Sequence, residues 1–235
     1  MSRFCHYLKD ALTRLDIAFT EEQLSLAEEY KVILLRENEK MNLTAITDDE
    51  DIAVKHFADS LCLLKYGEVA ENAALIDIGS GAGFPGLVLK IFRPDLRITL
   101  MDSLEKRCKF LKSAAGELGL EEISVLCCRA EEAGREENHR ERYDYATARA
   151  VAALPVLLEY ALPLLKVGGA FLPLKGKAEE DSADGALAAL HGEITVEHHY
   201  DLLGQGERTI YIIKKTAPTE EKYPRRVGKP AKSPL

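Results

Sequence analysis

Asp77-Ile78-Gly79-Ser80-Gly81-Ala82-Gly83 closes a short apolar run and opens into Phe84-Pro85-Gly86. Glycines at such a place let the backbone turn sharply and let a ligand come close to it. Gly81 to Gly86 also satisfies G-x-G-x-x-G, so both a nicotinamide dinucleotide and S-adenosylmethionine are possible ligands. Asp77 separates them. A carboxylate two residues before Gly79 suits the cationic ammonium and sulfonium of S-adenosylmethionine and repels a pyrophosphate. Asp102, at the end of the next apolar run, is placed to accept hydrogen bonds from ribose hydroxyls, which implies an adenosine-type ligand of either kind. Cys128-Arg129-Ala130-Glu131 follows the third run and offers an acid and a backbone amide to an adenine edge.

The fourth apolar run limits the chemistry. Methyltransferases acting on exocyclic amines often carry Asp/Asn-Pro-Pro-aromatic there, and those forming C5-methylcytosine place a cysteine nucleophile nearby. Thr147-Ala148-Arg149-Ala150 has neither device. The acceptor is therefore expected to be a good nucleophile already, such as a ring nitrogen with an available lone pair.

These residues need a scaffold that brings strand ends together. Leu75–Ile78, Ile98–Met101 and Ile123–Cys127 read as buried parallel strands, with helices over Gly86–Phe92 and Glu105–Leu118 between them. A strand over Tyr143–Ala148, a helix over Leu154–Leu165 and a strand over Ala170–Leu174 continue the alternation. Thr195–Tyr200 and Thr209–Lys214 are joined by too few residues for a crossover helix, so they form a hairpin and the last strand runs antiparallel. The expected fold is α/β: a Rossmann-like class I S-adenosylmethionine-dependent methyltransferase, with a mostly parallel seven-stranded sheet and an antiparallel C-terminal hairpin. Residues 1–68 read as an N-terminal helical extension, 69–216 as the methyltransferase domain and 217–235 as a basic C-terminal tail. Within the extension Thr20-Glu21-Glu22-Gln23 has the form of a capping box, Asn42-Leu43-Thr44-Ala45 breaks a helix, and a further helix over Asp49–Lys65 carries His56 and Asp59.

No apolar run is long enough to span a membrane and the N-terminus lacks a secretory h-region, so a cytoplasmic location is expected. The 5 cysteines include no C-x-x-C pair, which argues against disulfides and a metal site; Cys127 and Cys128 are expected to be buried, inert thiols. The formal charge of −8 is unevenly spread: residues 207–235 carry +5 and residues 1–206 carry −13. A basic end on an acidic body suits either a polyanion contact or a solvated tail.

The chain resembles the bacterial 16S rRNA guanine-N7 methyltransferase family, RsmG, also called GidB or glucose-inhibited division protein B. The likeness runs through Asn42-Leu43-Thr44-Ala45, His56-Phe57-Ala58-Asp59-Ser60-Leu61, Asp77 to Gly86 and Asp102-Ser103. It continues through Lys106-Arg107, Arg129-Ala130-Glu131, Ala148-Arg149-Ala150, Lys175-Gly176, Tyr223-Pro224-Arg225-Arg226 and the close Gly228 to Leu235. Ser80 and Ala82 stand where related sequences often have Thr or Pro. The resemblance implies methylation of a guanine N7 in 16S rRNA or the small ribosomal subunit, with no obligate protein partner evident. It places cofactor contacts on Gly79, Phe84, Ala130, Glu131 and Arg149, to which the loop argument adds Asp77, Gly81 and Asp102. Guanine N7 carries no proton, so direct in-line transfer needs no general base, and no catalytic residue is named. His56 is expected to pack or cap. Lys175, Arg208, Arg225, Arg226 and Lys229 are expected to meet rRNA phosphates, with Tyr223 either stacking on a base or packing on the core. Arg225, Arg226 and Lys229, which follow the last strand, are expected to supply nothing to the adenosine pocket. Rival readings are an NAD-dependent dehydrogenase, a non-catalytic RNA-binding assembly factor and a small-molecule methyltransferase.

Overall fold

The computed structural model describes residues 2–176 and 182–235. Helices α1 (Arg3–Arg14) and α2 (Glu21–Met41) come first; Thr20 and Gln23 form the expected reciprocal capping box at the start of α2. Asn42 ends α2 in the left-handed conformation, φ 49°, its N–H bonded to the Asn38 carbonyl. The expected helix beyond it is three helical pieces in unbroken succession: α3 (Asp49–Asp51), a π-helical stretch Ile52–Ala58, and α4 (Asp59–Tyr66). Wider π turns shift the angular register of the side chains, and they occur often at functional sites.

The chain then alternates through β1 (Ala74–Ile78), α5 (Gly86–Phe92), β2 (Arg97–Asp102), α6 (Glu105–Glu117), β3 (Ile123–Cys127), the short α7 (Ala130–Ala133) and β4 (Tyr143–Arg149). Next come α8 (Leu154–Ala161), β5 (Leu165–Lys175), α9 (Asp184–Leu190), β6 (Gly192–Asp201), β7 (Glu207–Lys215) and α10 (Lys229–Lys232). The seven strands lie in the order β3-β2-β1-β4-β5-β7-β6. The first five run parallel, while β7 inserts antiparallel between β5 and β6, as the hairpin predicts.

Alternation along the strands sorts two hydrophobic cores. Leu75, Ile98, Leu100 and Leu172 face a core that also contains Phe4, Leu8, Leu24 and Phe57, so the N-terminal helices share a core with the sheet. Ile76, Ile78, Ala146, Ala148 and Phe171 face the other, closed by Leu157 and Leu158 of α8 and by Tyr223. Two boundaries differ from expectation. The helix beginning at Leu154 ends at Ala161 and tightens into a 3₁₀ turn at Leu162–Leu164, where Pro163 cannot continue the α ladder, and β5 starts at Leu165. Cys127 is exposed and Cys128 half-buried, because β3 is an edge strand with only β2 beside it. Among the described residues no helix is long and apolar enough to cross a membrane.

Candidate functional site

The loop after β1 turns through Gly79 at φ 72° and Gly81 at φ 56°. Gly79 and Ser80 both donate their N–H to the Met101 carbonyl, at 2.8 and 2.9 Å, which ties the loop to the end of β2. A Cβ at Gly79 would stand 2.7 Å from Val151 Cγ2, so the sequence can hold only glycine there without a shift. Asp77 lies fully buried beneath this loop. Its Oδ2 accepts the Gly86 N–H at 3.0 Å at the start of α5, while its Oδ1 is buried without a partner. Burial pushes the Asp77 carboxyl up to about 6, against the stabilising Gly86 N–H.

Above the loop a cavity of about 250 Å³ is lined by Gly79, Asp102, Ser103, Ala130, Glu131, Val151 and Tyr160, among others. Asp102 Oδ2 accepts the Gly81 N–H at 3.0 Å and Oδ1 the Leu104 N–H at 2.9 Å, so this acid fixes the loop as well as facing the cavity. Glu131, on α7, is 4% exposed and its Oε1 accepts the Gly228 N–H at 2.9 Å. Each carboxylate keeps lone pairs beyond these bonds. A pair of acceptors suits the hydroxyl and amino donors of an adenosine. Gly79, Asp102, Ala130 and Glu131 thus meet at one cavity, whereas Asp77 and Gly81 act from below it.

Arg149 belongs to a second cavity, of about 740 Å³, lined by Lys55, His56, Asp59, Arg149, Lys175 and Arg208, among others. Phe84 is buried in an aromatic cluster behind His56, which lines this cavity. The His56 ring stacks on it at 4.5 Å, and Tyr30 and Phe57 lie 5.5 and 5.6 Å away. The Arg149 guanidinium lies 5.3 Å from the Phe84 centroid, a cation–π contact, and donates to the Lys55 carbonyl at 3.0 Å and to Asp59 Oδ2 at 3.1 Å. Asp59 Oδ1 accepts from Arg208 Nε at 3.1 Å. One buried carboxylate therefore spans two arginines from strands β4 and β7. Lys175 Nζ donates to the Ala152 carbonyl at 2.7 Å.

His56 is locked by both nitrogens. Arg149 Nη2 lies 3.3 Å from Nδ1, and the guanidinium can only donate; Nε2 lies 2.8 Å from Thr44 Oγ1 and so carries the proton. Burial, reinforced by the Arg149 charge, pushes the imidazole down to about 3. Thr44 Oγ1 also accepts the Ile46 N–H, and the Thr44 N–H is taken by Asn38 Oδ1, which explains why the chain turns at Asn42 to Ala45.

The two cavities share Ala150 and Val151. Ala150 holds φ 55°, a conformation that costs an alanine about 1–2 kcal/mol. Sequence reasoning did not find this junction, nor the Asp59 bridge, because the contributing residues are far apart in the chain and no local pattern links them.

The basic end folds back on the body. Tyr223 is buried and packs on the second core, with no face left for a base. Arg225 Nε lies 2.9 and 3.0 Å from the two oxygens of Glu159, a fully buried acid of α8. That guanidinium points into the protein, so Arg225 is not placed to meet phosphate. Arg226 and Lys229 are exposed. Between Arg226 and Lys229, Gly228 gives its N–H to Glu131 of the first cavity.

The fold is shared with a SAM-dependent methyltransferase from Aquifex aeolicus, at TM-score 0.55 and 15% identity over 74% of this chain and 97% of that one. It is shared equally with the [4+2]-cyclase SpnF, at TM-score 0.57 and 15% identity over 85% and 97%, so fold alone does not fix the reaction. Sequence relatives are much nearer. Ribosomal RNA small subunit methyltransferase G of Alkaliphilus metalliredigens is 46% identical over 97% of both chains, and that of Acetivibrio thermocellus 48% identical over 92% of this chain and 90% of the other. The family model described as rRNA small subunit methyltransferase G, GidB, matches residues 23–211, and the chain belongs to that family.

Proposed function

We propose that this chain is an S-adenosylmethionine-dependent methyltransferase acting on N7 of a guanine in 16S rRNA, in the cytoplasm. The observation that carries the reading is the pair of cavities meeting at Ala150 and Val151, one walled by acceptors for an adenosine and the other by cations for an RNA. When bound, S-adenosylmethionine supplies an electrophilic methyl group. Asp102 and Glu131 accept the ligand's hydroxyl and amino hydrogens, and the buried Asp77 holds the α5 end of the loop that brings Gly79 to it. Lys55, Lys175 and Arg208 line the side from which a phosphate chain would approach.

No group need remove a proton from N7. His56, with both nitrogens engaged and its pKa held near 3, is a fixed neutral wall rather than a proton carrier. The enzyme's task is alignment, which can supply roughly 7–11 kcal/mol of a barrier. Labelled S-adenosylmethionine, incubated with 16S rRNA and with purified small subunits, tests this. The expected product is one N7-methylguanine located by base mapping. Transfer to another atom, or none to either RNA form, overturns the proposal.

A further inference from the structure

After β7 the chain crosses the α8 side of the sheet, meets Glu131 of the first cavity at Gly228 and ends beside Gly185 of α9. It is anchored on the way: Arg140 donates to the Thr219 carbonyl at 2.7 Å and the Tyr223 carbonyl at 2.8 Å. The Arg225 main-chain N–H also donates to Glu159 Oε1, at 2.7 Å. Pro230 is buried. Between these anchors Gly228 adopts φ 77° and gives its N–H to Glu131. Tyr160, the residue after Glu159, lines the same cavity as Glu131.

We infer that this C-terminal strap is a working part of the cofactor site, and that Gly228 is a positioning residue for Glu131. The inference rests on reading the first cavity as the S-adenosylmethionine site. A glutamate has three side-chain torsions, and a buried carboxylate deprived of its donor turns toward water or pays for desolvation. The Gly228 N–H removes both alternatives with a charge-assisted bond, leaving the remaining lone pairs of Glu131 set toward the adenosine. The strap delivers this donor from outside the sheet, held by an ion pair that does not touch the ligand.

Two substitutions bear on the N–H. Gly228→Pro deletes the donor and, with φ held at about −65°, also the left-handed turn that aims it. Gly228→Asn keeps it, tolerates the left-handed backbone and adds a Cβ where no atom lies within 4 Å. Calorimetry on the full chain gives the affinity for S-adenosylmethionine and for adenosine alone, and turnover on a 16S rRNA transcript gives kcat at saturating cofactor. The proline variant should bind both ligands roughly tenfold or more weakly, by similar factors, with kcat nearly unchanged. The asparagine variant should remain near the wild type. Wild-type affinity in the proline variant overturns the inference. So does an equal loss in the asparagine variant when both apo proteins melt like the parent. Should the proline variant not fold, a chain ending at Val227 removes the same donor and carries the same expectation. A wild-type chain that binds no S-adenosylmethionine would instead overturn the reading of the cavity itself.

Discussion

His56 lies nearly parallel to Phe84, with ring planes 15° apart, and the Arg149 guanidinium reaches both residues. This makes the imidazole's neutral form a structural requirement. Its pKa is lowered from 6.5 to about 3, so it contributes stability above pH 6.5 that is lost as pH falls toward 3. At pH 4.5 the loss is on the order of 2–3 kcal/mol. His56→Gln lacks that titration. Urea unfolding of both proteins across pH 3.5–7.5 should show the wild type's advantage shrinking in acid; a constant difference would mean that His56 is not buried as a neutral group. Between pH 6 and 8 single-turnover rates should show no step from this residue.

Asp77 has the opposite sign. Its pKa is raised from 3.8 to about 6, so its contribution is full below pH 3.8 and is lost as pH rises through 6. The change amounts to about 3 kcal/mol. In Asp77→Asn the fall in melting temperature between pH 4 and pH 7 should be shallower than in the wild type. Identical pH profiles would place the charge elsewhere.

The loop glycines should not respond alike. Gly79→Val meets both a positive φ and the Val151 methyl, and should abolish S-adenosylmethionine binding. At Gly81 an added Cβ meets only the Gly79 carbonyl, at 3.8 Å, so Gly81→Ala pays about 1–2 kcal/mol for its backbone conformation and no steric cost. Roughly tenfold weaker binding is expected there. Equal losses at the two positions would show that contact with Val151 is unimportant.

Charge reversal in the tail should now separate by residue. Arg225→Ala leaves Glu159 buried and unpaired, at a cost of about 3–5 kcal/mol, and should lower the melting temperature by on the order of 10 °C. Arg226→Glu with Lys229→Glu should leave melting unchanged and weaken 16S rRNA binding. Each lost phosphate contact should reduce the log–log salt slope by about 0.7 to 0.9. Parallel salt plots for wild type and double variant would remove the strap from the RNA surface.

Much of this architecture was legible in the sequence because it is local. Apolar runs such as Leu75–Ile78 marked strands, Thr20 and Gln23 declared a helix start, and the short link between Thr195–Tyr200 and Thr209–Lys214 required a hairpin. Asp102 and Glu131 were legible because strand ends converge by topology. What escaped was whatever depends on which distant residue sits opposite. Arg225 reads as a phosphate ligand until Glu159, 66 positions away, is seen beneath it. Cys127 reads as core until β3 proves to be an edge. Arg149 carried a family match to cofactor contact, and its side chain lines the second cavity because β4 turns it to the face carrying Asp77; Phe84 lies buried beneath His56, which the π-helical stretch brings over it.

Ala150 gives the wall between the two cavities a particular character. Its left-handed backbone is a conformation that glycine would adopt freely, so the fold is less stable there than it could be. In return a side chain stands at the junction, and Val151 is held over Gly79. Position 150 is thus a place where durability and alignment pull in opposite directions. Selection for thermal resistance alone would favour a glycine there, and the enzyme so obtained would outlast its parent while holding the two halves of its reaction less firmly in line.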